Sequence, residues 1–283
     1  MNKELSVAII GGDSFVGKNL YKYLKNKNIN VFCTSHKRKK NYFYLDLLSE
    51  KNKWPKINSK VAIICAGITS VNKCHNSENA YNINVTSTLK LIEKLTSDGV
   101  FVIFLSSSQV FDGRKPNLSR DDLCNPISIY AKQKYLVEKS ILKNLQNKSI
   151  LRITKILTPE LPFLKNISYK LNNGLNSEAF NNYFISPVTI DMTCQMILNI
   201  ILFNKEGVYQ LSSSDQISYF DLARYYASIK GLNQKLIQEK KATKNDIGFN
   251  VIPRYSNLEM SKEKKLFNFM QLSSEALLDS LFR

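Results

Sequence analysis

No apolar run in the 283-residue chain is long enough to cross a bilayer; the longest, Val100 to Leu105 and Val61 to Ala66, are strand-length. Cysteine is scarce and unpatterned. Cys33, Cys65, Cys74, Cys124 and Cys194 are an odd number with no Cys-x-x-Cys pair, which argues against a disulfide frame or a zinc site. No metal is expected, and the thiols read as reduced groups of a cytoplasmic protein. No signal peptide is expected either: the charged start, Met1 to Leu5, runs straight into a strand and a glycine turn. Acidic residues are few, 23 against 40 lysines and arginines, a net charge of +17. The lysines are spread along the chain, with clusters at His36-Lys37-Arg38-Lys39-Lys40 and Lys262 to Lys265. They form no basic stripe interleaved with aromatics, so neither nucleic acid nor a membrane is expected as partner. The charge suits a small anionic ligand.

What is there begins with a core. A hydrophobic content of 43% and the absence of low-complexity tracts fit one large α/β domain, or such a domain with a smaller lobe. Leu5 to Ile10 is a short apolar run, followed by Gly11-Gly12-Asp13-Ser14-Phe15-Val16-Gly17 and a helical pattern from Lys18 to Lys25. In that order, strand, glycine turn and helix bring a helix N-terminus up to a pyrophosphate. Asn30 to Thr34 reads as the second strand. A site for an unphosphorylated ribose places an acid at its end; here the end is Thr34-Ser35-His36-Lys37-Arg38, hydroxyls and cations that suit a 2′-phosphate. NADP(H) is therefore expected over NAD(H), with Ser35, Lys37 and Arg38 as its contacts.

Further strands are expected at Tyr42 to Leu47, Lys60 to Cys65, Val100 to Ser106 and Ile150 to Thr154, with a helical stretch from Glu78 to Leu95. Small residues at Ala66-Gly67 allow a cofactor to lie close, and Ser106-Ser107-Ser108 supplies hydroxyls after a buried strand. Asn125-Pro126 breaks the chain before Ser128-Ile129-Tyr130-Ala131-Lys132-Gln133-Lys134. In a helix the spacing stacks Tyr130 and Lys134 on one face. An ammonium beside a phenol favours the phenolate, which predicts a lowered tyrosine pKa and a proton donor usable near neutral pH. The helix is expected to run towards Leu145, with Leu136, Ile141 and Leu142 facing the core.

The alternation predicts a Rossmann-type, doubly wound parallel sheet with a smaller C-terminal α/β lobe. Residues 1–158 with 187–212 are assigned to the dinucleotide-binding domain, and 159–186 with 213–283 to a substrate lobe. Leu161 to Tyr183 reads as irregular, Thr189 to Leu202 as helix and Gly207 to Leu211 as strand. Ser218 caps a helix to Ile229, and a last helix spans Ser273 to Leu281. Arg254 is a candidate for bidentate pairing with a substrate phosphate.

Together these pieces resemble the extended short-chain dehydrogenase/reductases, and among them the dTDP-4-dehydrorhamnose reductase-like sugar-nucleotide reductases. The resemblance rests on Gly67-Ile68-Thr69-Ser70-Val71-Asn72-Lys73-Cys74, Ala80-Tyr81-Asn82-Ile83-Asn84-Val85, and Val110-Phe111-Asp112-Gly113. Ser186-Pro187-Val188 with Ile190-Asp191, and Gly207-Val208-Tyr209 with Ile217-Ser218, extend it towards the C-terminus. It implies reduction of a nucleotide-activated 4-keto sugar by NADPH, with Tyr130 as proton donor and Lys134 holding the nicotinamide ribose. It also implies Ser107 on the sugar oxygen, with Ser108 beside it towards the substrate. Gly11, Ser14, Phe15, Val16 and Gly17 would line the phosphates and Asp46-Leu47 the adenine, with Ala66, Gly67 and Asn84 beside the cofactor. The sequence departs from the family at Ser14, where the middle glycine is usual, at Ser108-Gln109, where Asp and Tyr follow the catalytic hydroxyl, and at Ala131, where glycine is common. A sugar-nucleotide epimerase or dehydratase is the alternative within the same superfamily. A non-catalytic NADP-binding regulatory subunit, as in some methionine adenosyltransferases, is the other, and a homodimer stays open.

Overall fold

A computed structural model describes residues 5–70, 73, 74, 77–247 and 251–283. Val71 and Asn72 of the family-like run lie outside these residues. β1 (Ser6–Ile10) ends in four residues with no solvent exposure, as expected of a strand covered on both faces. β2 (Asn30–Ser35), β3 (Phe43–Tyr44), β4 (Val61–Ile64), β5 (Phe101–Ser107), β6 (Lys148–Ile153) and β7 (Gly207–Leu211) join it in a seven-stranded sheet of order β7-β6-β5-β4-β1-β2-β3. The pairs β1–β2, β1–β4, β4–β5 and β2–β3 are parallel, with Val7 opposite both Val31 and Val61. Strand order reverses between β1 and β4, and beyond the carboxyl ends of those strands lies the crevice where this architecture binds ligands.

Contacts divide the chain into two compact units. The first comprises Met1–Val110, Ser128–Arg152 and Cys194–Tyr209. Its helices include α1 (Phe15–Asn26), α2 (Thr88–Ser97) and α3 (Ile129–Lys143). Leu91, Ile92 and Leu95 of α2 and Val137 and Ile141 of α3 pack into a core with Ala8, Ile10, Ala62, Ile64, Val102 and Phe104. Leu136 and Leu142, expected in that core, stand exposed. Their positions fall off the stripe defined by Lys134, Val137, Glu138 and Ile141, which takes the buried face.

The second unit comprises Phe111–Ile127, Ile153–Thr193 and Gln210–Arg283. It thus takes up 111–127, 153–158, 187–193 and 210–212, stretches expected in the dinucleotide-binding domain. The region expected to be irregular from Leu161 to Tyr183 contains a helix, α4 (Pro162–Asn172), and a strand, Ser177–Phe180. Pro162 suits the first turn of a helix, where its missing N–H leaves no bond unmade, and Leu164, Ile167 and Leu171 form a regular apolar stripe. The strand Ser177–Phe180 pairs in parallel with the strand Ile237–Lys240. α5 (Ile190–Phe203) has its residues up to Thr193 in this unit and the rest in the first, while α6 (Tyr219–Ile229), capped by Ser218, and α7 (Ser274–Phe282), capped by Ser273, complete this core through Leu222, Ala223 and Leu278. Short helices at Lys244–Ile247 and Ser261–Phe267 precede α7. Gly113 has φ +70°, and a Cβ there would meet Pro253 Cβ at 2.6 Å. That loop needs glycine.

One charged pair lies wholly inside the first unit. Arg152 Nη2 donates to Glu138 Oε2 at 2.8 Å, and its Nε reaches both carboxylate oxygens at 3.2 Å. Both side chains are shielded from solvent. Removing one partner leaves a buried charge unmatched, so Arg152→Met should cost about 3–5 kcal/mol in urea unfolding. The double replacement Arg152→Met with Glu138→Met should recover most of that loss.

Candidate active site

Gly11 has φ +79°, and a Cβ on it would lie 2.7 Å from the Ala66 nitrogen. Glycine is needed there both for the dihedral and for the close approach of the β4 end. A Cβ on Gly17 would lie 2.4 Å from the Gly11 carbonyl oxygen, so this glycine lets α1 sit directly on the turn. Ser14, in the place of the middle glycine, has an ordinary φ of −69° and makes no demand for glycine. Its hydroxyl turns back to cap α1, accepting from Gly17 N–H at 3.0 Å. The N–H groups of Phe15 and Val16, at the first turn, belong to the set that intrahelical bonding leaves over, and the helix dipole adds positive potential there. The turn is held to β2 by Gly11 N–H to Thr34 Oγ1, 3.1 Å, and Gly12 N–H to Thr34 O, 2.8 Å. These features fit a pyrophosphate.

At the end of β2, Ser35 is fully buried and accepts from Lys37 N–H at 3.0 Å. Its own proton goes to Asp13 Oδ2 at 2.9 Å, and Lys39 Nζ reaches the same oxygen at 2.8 Å. Burial raises the Asp13 pKa, but the hydrogen bonds from Lys39 and Ser35 outweigh it, and the carboxyl lies below its ordinary value. Asp13 and Lys39 were not among the residues expected here. Lys37 and Arg38 are exposed, with the Arg38 guanidinium 5.0 Å from the Tyr44 ring centroid. Asp46 turns its carboxylate to its own chain, accepting from Leu48 N–H at 2.9 Å, and Leu47 packs into the core.

Ala66 and Gly67 follow β4, and the next residue, Ile68, is held by Asn84. The Asn84 amide accepts from Ile68 N–H at 2.7 Å, donates to Ile68 O at 2.8 Å, and donates to Gln133 Oε1 at 2.8 Å. Asn84 reaches so far because Asn82–Ser87 forms a wide π turn between two α-helical stretches. Gln133, which the sequence reading passed over, is buried on α3 between Tyr130 and Lys134 and ties that helix to the β4 loop.

Ser128 caps α3, accepting from Ala131 N–H at 3.1 Å, and Ala131 fits with no exposure where glycine is common. One turn on, the Lys134 ammonium donates to Leu105 O at 2.8 Å and lies 4.6 Å from the Phe104 ring centroid. Ser107 is two residues further along β5; its Oγ accepts from Gln109 N–H at 3.2 Å and keeps its own proton for another acceptor. Ser108 opens the short turn that follows. Lys134 Nζ is 5.9 Å from the Tyr130 ring centroid.

The expected lowering of the tyrosine pKa is not what this arrangement produces. Burial pushes the Tyr130 phenol up, and the Cys74 thiol adds to the rise. Burial also pushes Lys134 down to about 8, with Cys65 and Glu138 partly opposing it. A desolvated ammonium directed at a carbonyl does less for the neighbouring phenolate than spacing alone suggests. Arg254 belongs to the second unit, where it is exposed with its guanidinium 5.5 Å from the Tyr255 ring centroid.

The family model described as the RmlD substrate binding domain matches residues 5–281. Methionine adenosyltransferase 2 subunit beta of Xenopus tropicalis is 23% identical over 276 residues, 91% of this chain and 81% of that protein. A dTDP-4-dehydrorhamnose reductase of Sinorhizobium fredii is 26% identical over 185 residues, 60% of each protein. Among solved structures, dTDP-4-dehydrorhamnose reductase of Bacillus anthracis in complex with NADP shares the fold, with a TM-score of 0.84, 20% identity and coverage of 100% of this chain and 99% of that one. Since the match runs over nearly its whole length, the chain belongs to the RmlD substrate-binding-domain family, a branch of the extended short-chain dehydrogenase/reductases.

Proposed function

We propose that the chain is a reductase of a nucleotide-activated 4-keto sugar that takes its hydride from NADPH. The observation that carries this is the Lys134 ammonium held on the Leu105 carbonyl. It fixes the helix bearing Tyr130 against the strand bearing Ser107, in the unit that also holds the glycine turn. The bound nicotinamide would supply hydride to the carbonyl carbon. The chain's own residues do the rest. Ser107 donates its free proton to the carbonyl oxygen and orients it. Tyr130 then protonates that oxygen as it becomes an alkoxide, a far stronger base than a phenolate even when burial raises the phenol. Lys134 steadies the phenolate left behind and holds the cofactor ribose. Lys37 and Arg38 favour a 2′-phosphate. In the second unit, exposed Arg254 is assigned to a substrate phosphate.

The relatives named as methionine adenosyltransferase 2 subunit beta favour a second reading, a cofactor-binding subunit of a larger enzyme. Under it the chain would bind NADPH, reduce no keto sugar and co-purify with a stoichiometric partner.

Tyr130→Phe should lower turnover on a nucleotide-linked 4-keto sugar by about 10²-fold or more while NADPH titration stays near wild type. Unchanged turnover in that variant would remove the phenol from the reaction. Lys134 binds ribose best as a cation and loses its proton as pH rises through about 8. NADPH affinity should therefore weaken about tenfold between about pH 7 and 9, a dependence that Lys134→Met abolishes. Tyr130, raised by burial, stays protonated through that interval and contributes nothing to the decline.

A further inference from the structure

The dinucleotide architecture has an expectation at the end of β2: an acid there receives the hydroxyls of an unphosphorylated ribose, and its absence welcomes a 2′-phosphate. This strand ends in Ser35, which looks like the second case. The hydrogen bonds say otherwise. Ser35 Oγ gives its proton to Asp13, 22 residues upstream in the glycine turn, so a carboxylate arrives at the strand end from another segment. Lys39, from the loop after β2, closes on the same Asp13 oxygen at 2.8 Å.

We propose that Asp13 is a specificity-determining residue: its carboxylate holds Ser35 Oγ and Lys39 Nζ, two donors that a 2′-phosphate would take, and so keeps NADH competitive with NADPH. This deepens the cofactor reading above and rests on it. A phosphate entering beside Ser35 meets a fixed negative charge and must draw Lys39 away from it. A ribose diol meets an acceptor already oriented by two donors. The exposed cations Lys37 and Arg38 pull towards the phosphorylated cofactor, and Asp13 pulls back. The turn does not need this acid for its shape, since the glycines at 11 and 17 and the cap at Ser14 set the backbone.

The test is a pair of titrations of the full chain, with NADPH and with NADH, each followed by reduced-nicotinamide fluorescence. Asp13→Asn keeps the side-chain shape and removes the charge; it should raise the preference for NADPH over NADH by about tenfold. Lys39→Gln leaves Asp13 without its cation and should move the preference the other way. Circular dichroism checks that both variants fold, and Lys39→Gln tests the idea alone if Asp13→Asn does not. A preference that stays within about twofold of wild type in the folded variants overturns the proposal while leaving the dinucleotide reading intact. If the wild-type chain binds neither cofactor, the dinucleotide reading itself fails and this inference falls with it.

Discussion

A buried ammonium bonded to a backbone carbonyl is the constraint on which the candidate site turns. Lys134 sits on the inward face of its helix and ends on Leu105 O, near the end of the interior strand β5. A neutral acceptor holds the cation in place without cancelling its charge. One turn further along the helix, Glu138 is positioned to quench that charge, but it is occupied by Arg152 on both oxygens. The arrangement separates two jobs. Arg152 and Glu138 satisfy each other deep in the core, and the lysine keeps a charge available to a ligand. Burial makes that charge marginal, which is the price of its position and the source of its sensitivity to pH.

Much of this frame was legible in the residues. The glycine turn, the run of β-branched strands and the Tyr130–Lys134 spacing are local patterns, and local patterns fix local structure. Ser14 stands out in the sequence only as a missing glycine; its role as the cap of α1 is visible in the structure. What was not legible depends on contacts between distant segments. Nothing in the order of residues joins Asp13 to Ser35 and Lys39, or Asn84 to Gln133; the parallel sheet does that by laying successive crossovers side by side. Leu136 and Leu142 face solvent because hydrophobicity alone does not choose which stripe of a helix turns inward. The Tyr130 phenol departs from expectation for a related reason: spacing gives a neighbour but not the depth at which the pair is buried.

Family membership establishes the scaffold, and the scaffold is compatible with more than one use. The relatives include a named reductase and proteins named as subunits of an adenosyltransferase, at similar and modest identity. The same sheet serves both uses, and under the reductase proposal the distinction would lie in the protons of Ser107, Tyr130 and Lys134. The two units reinforce the point. The first supplies a layered sheet with its helices, and the second a separate apolar core around Leu164, Leu222 and Leu278, where single-sequence reasoning found the fewest landmarks.

The wide turn at Asn82–Ser87 has a consequence for chain length. A π turn contains about one residue more than the α turn it replaces, and one residue rotates a helix by roughly 100°. Here that extra rotation lets Asn84 face the Ile68 loop while Leu91, Ile92 and Leu95 still face the core. A homologue shorter by one residue in this segment would have to forgo one or the other. When such chains are aligned, a single gap therefore belongs inside this helix, although convention would push it into the nearest loop.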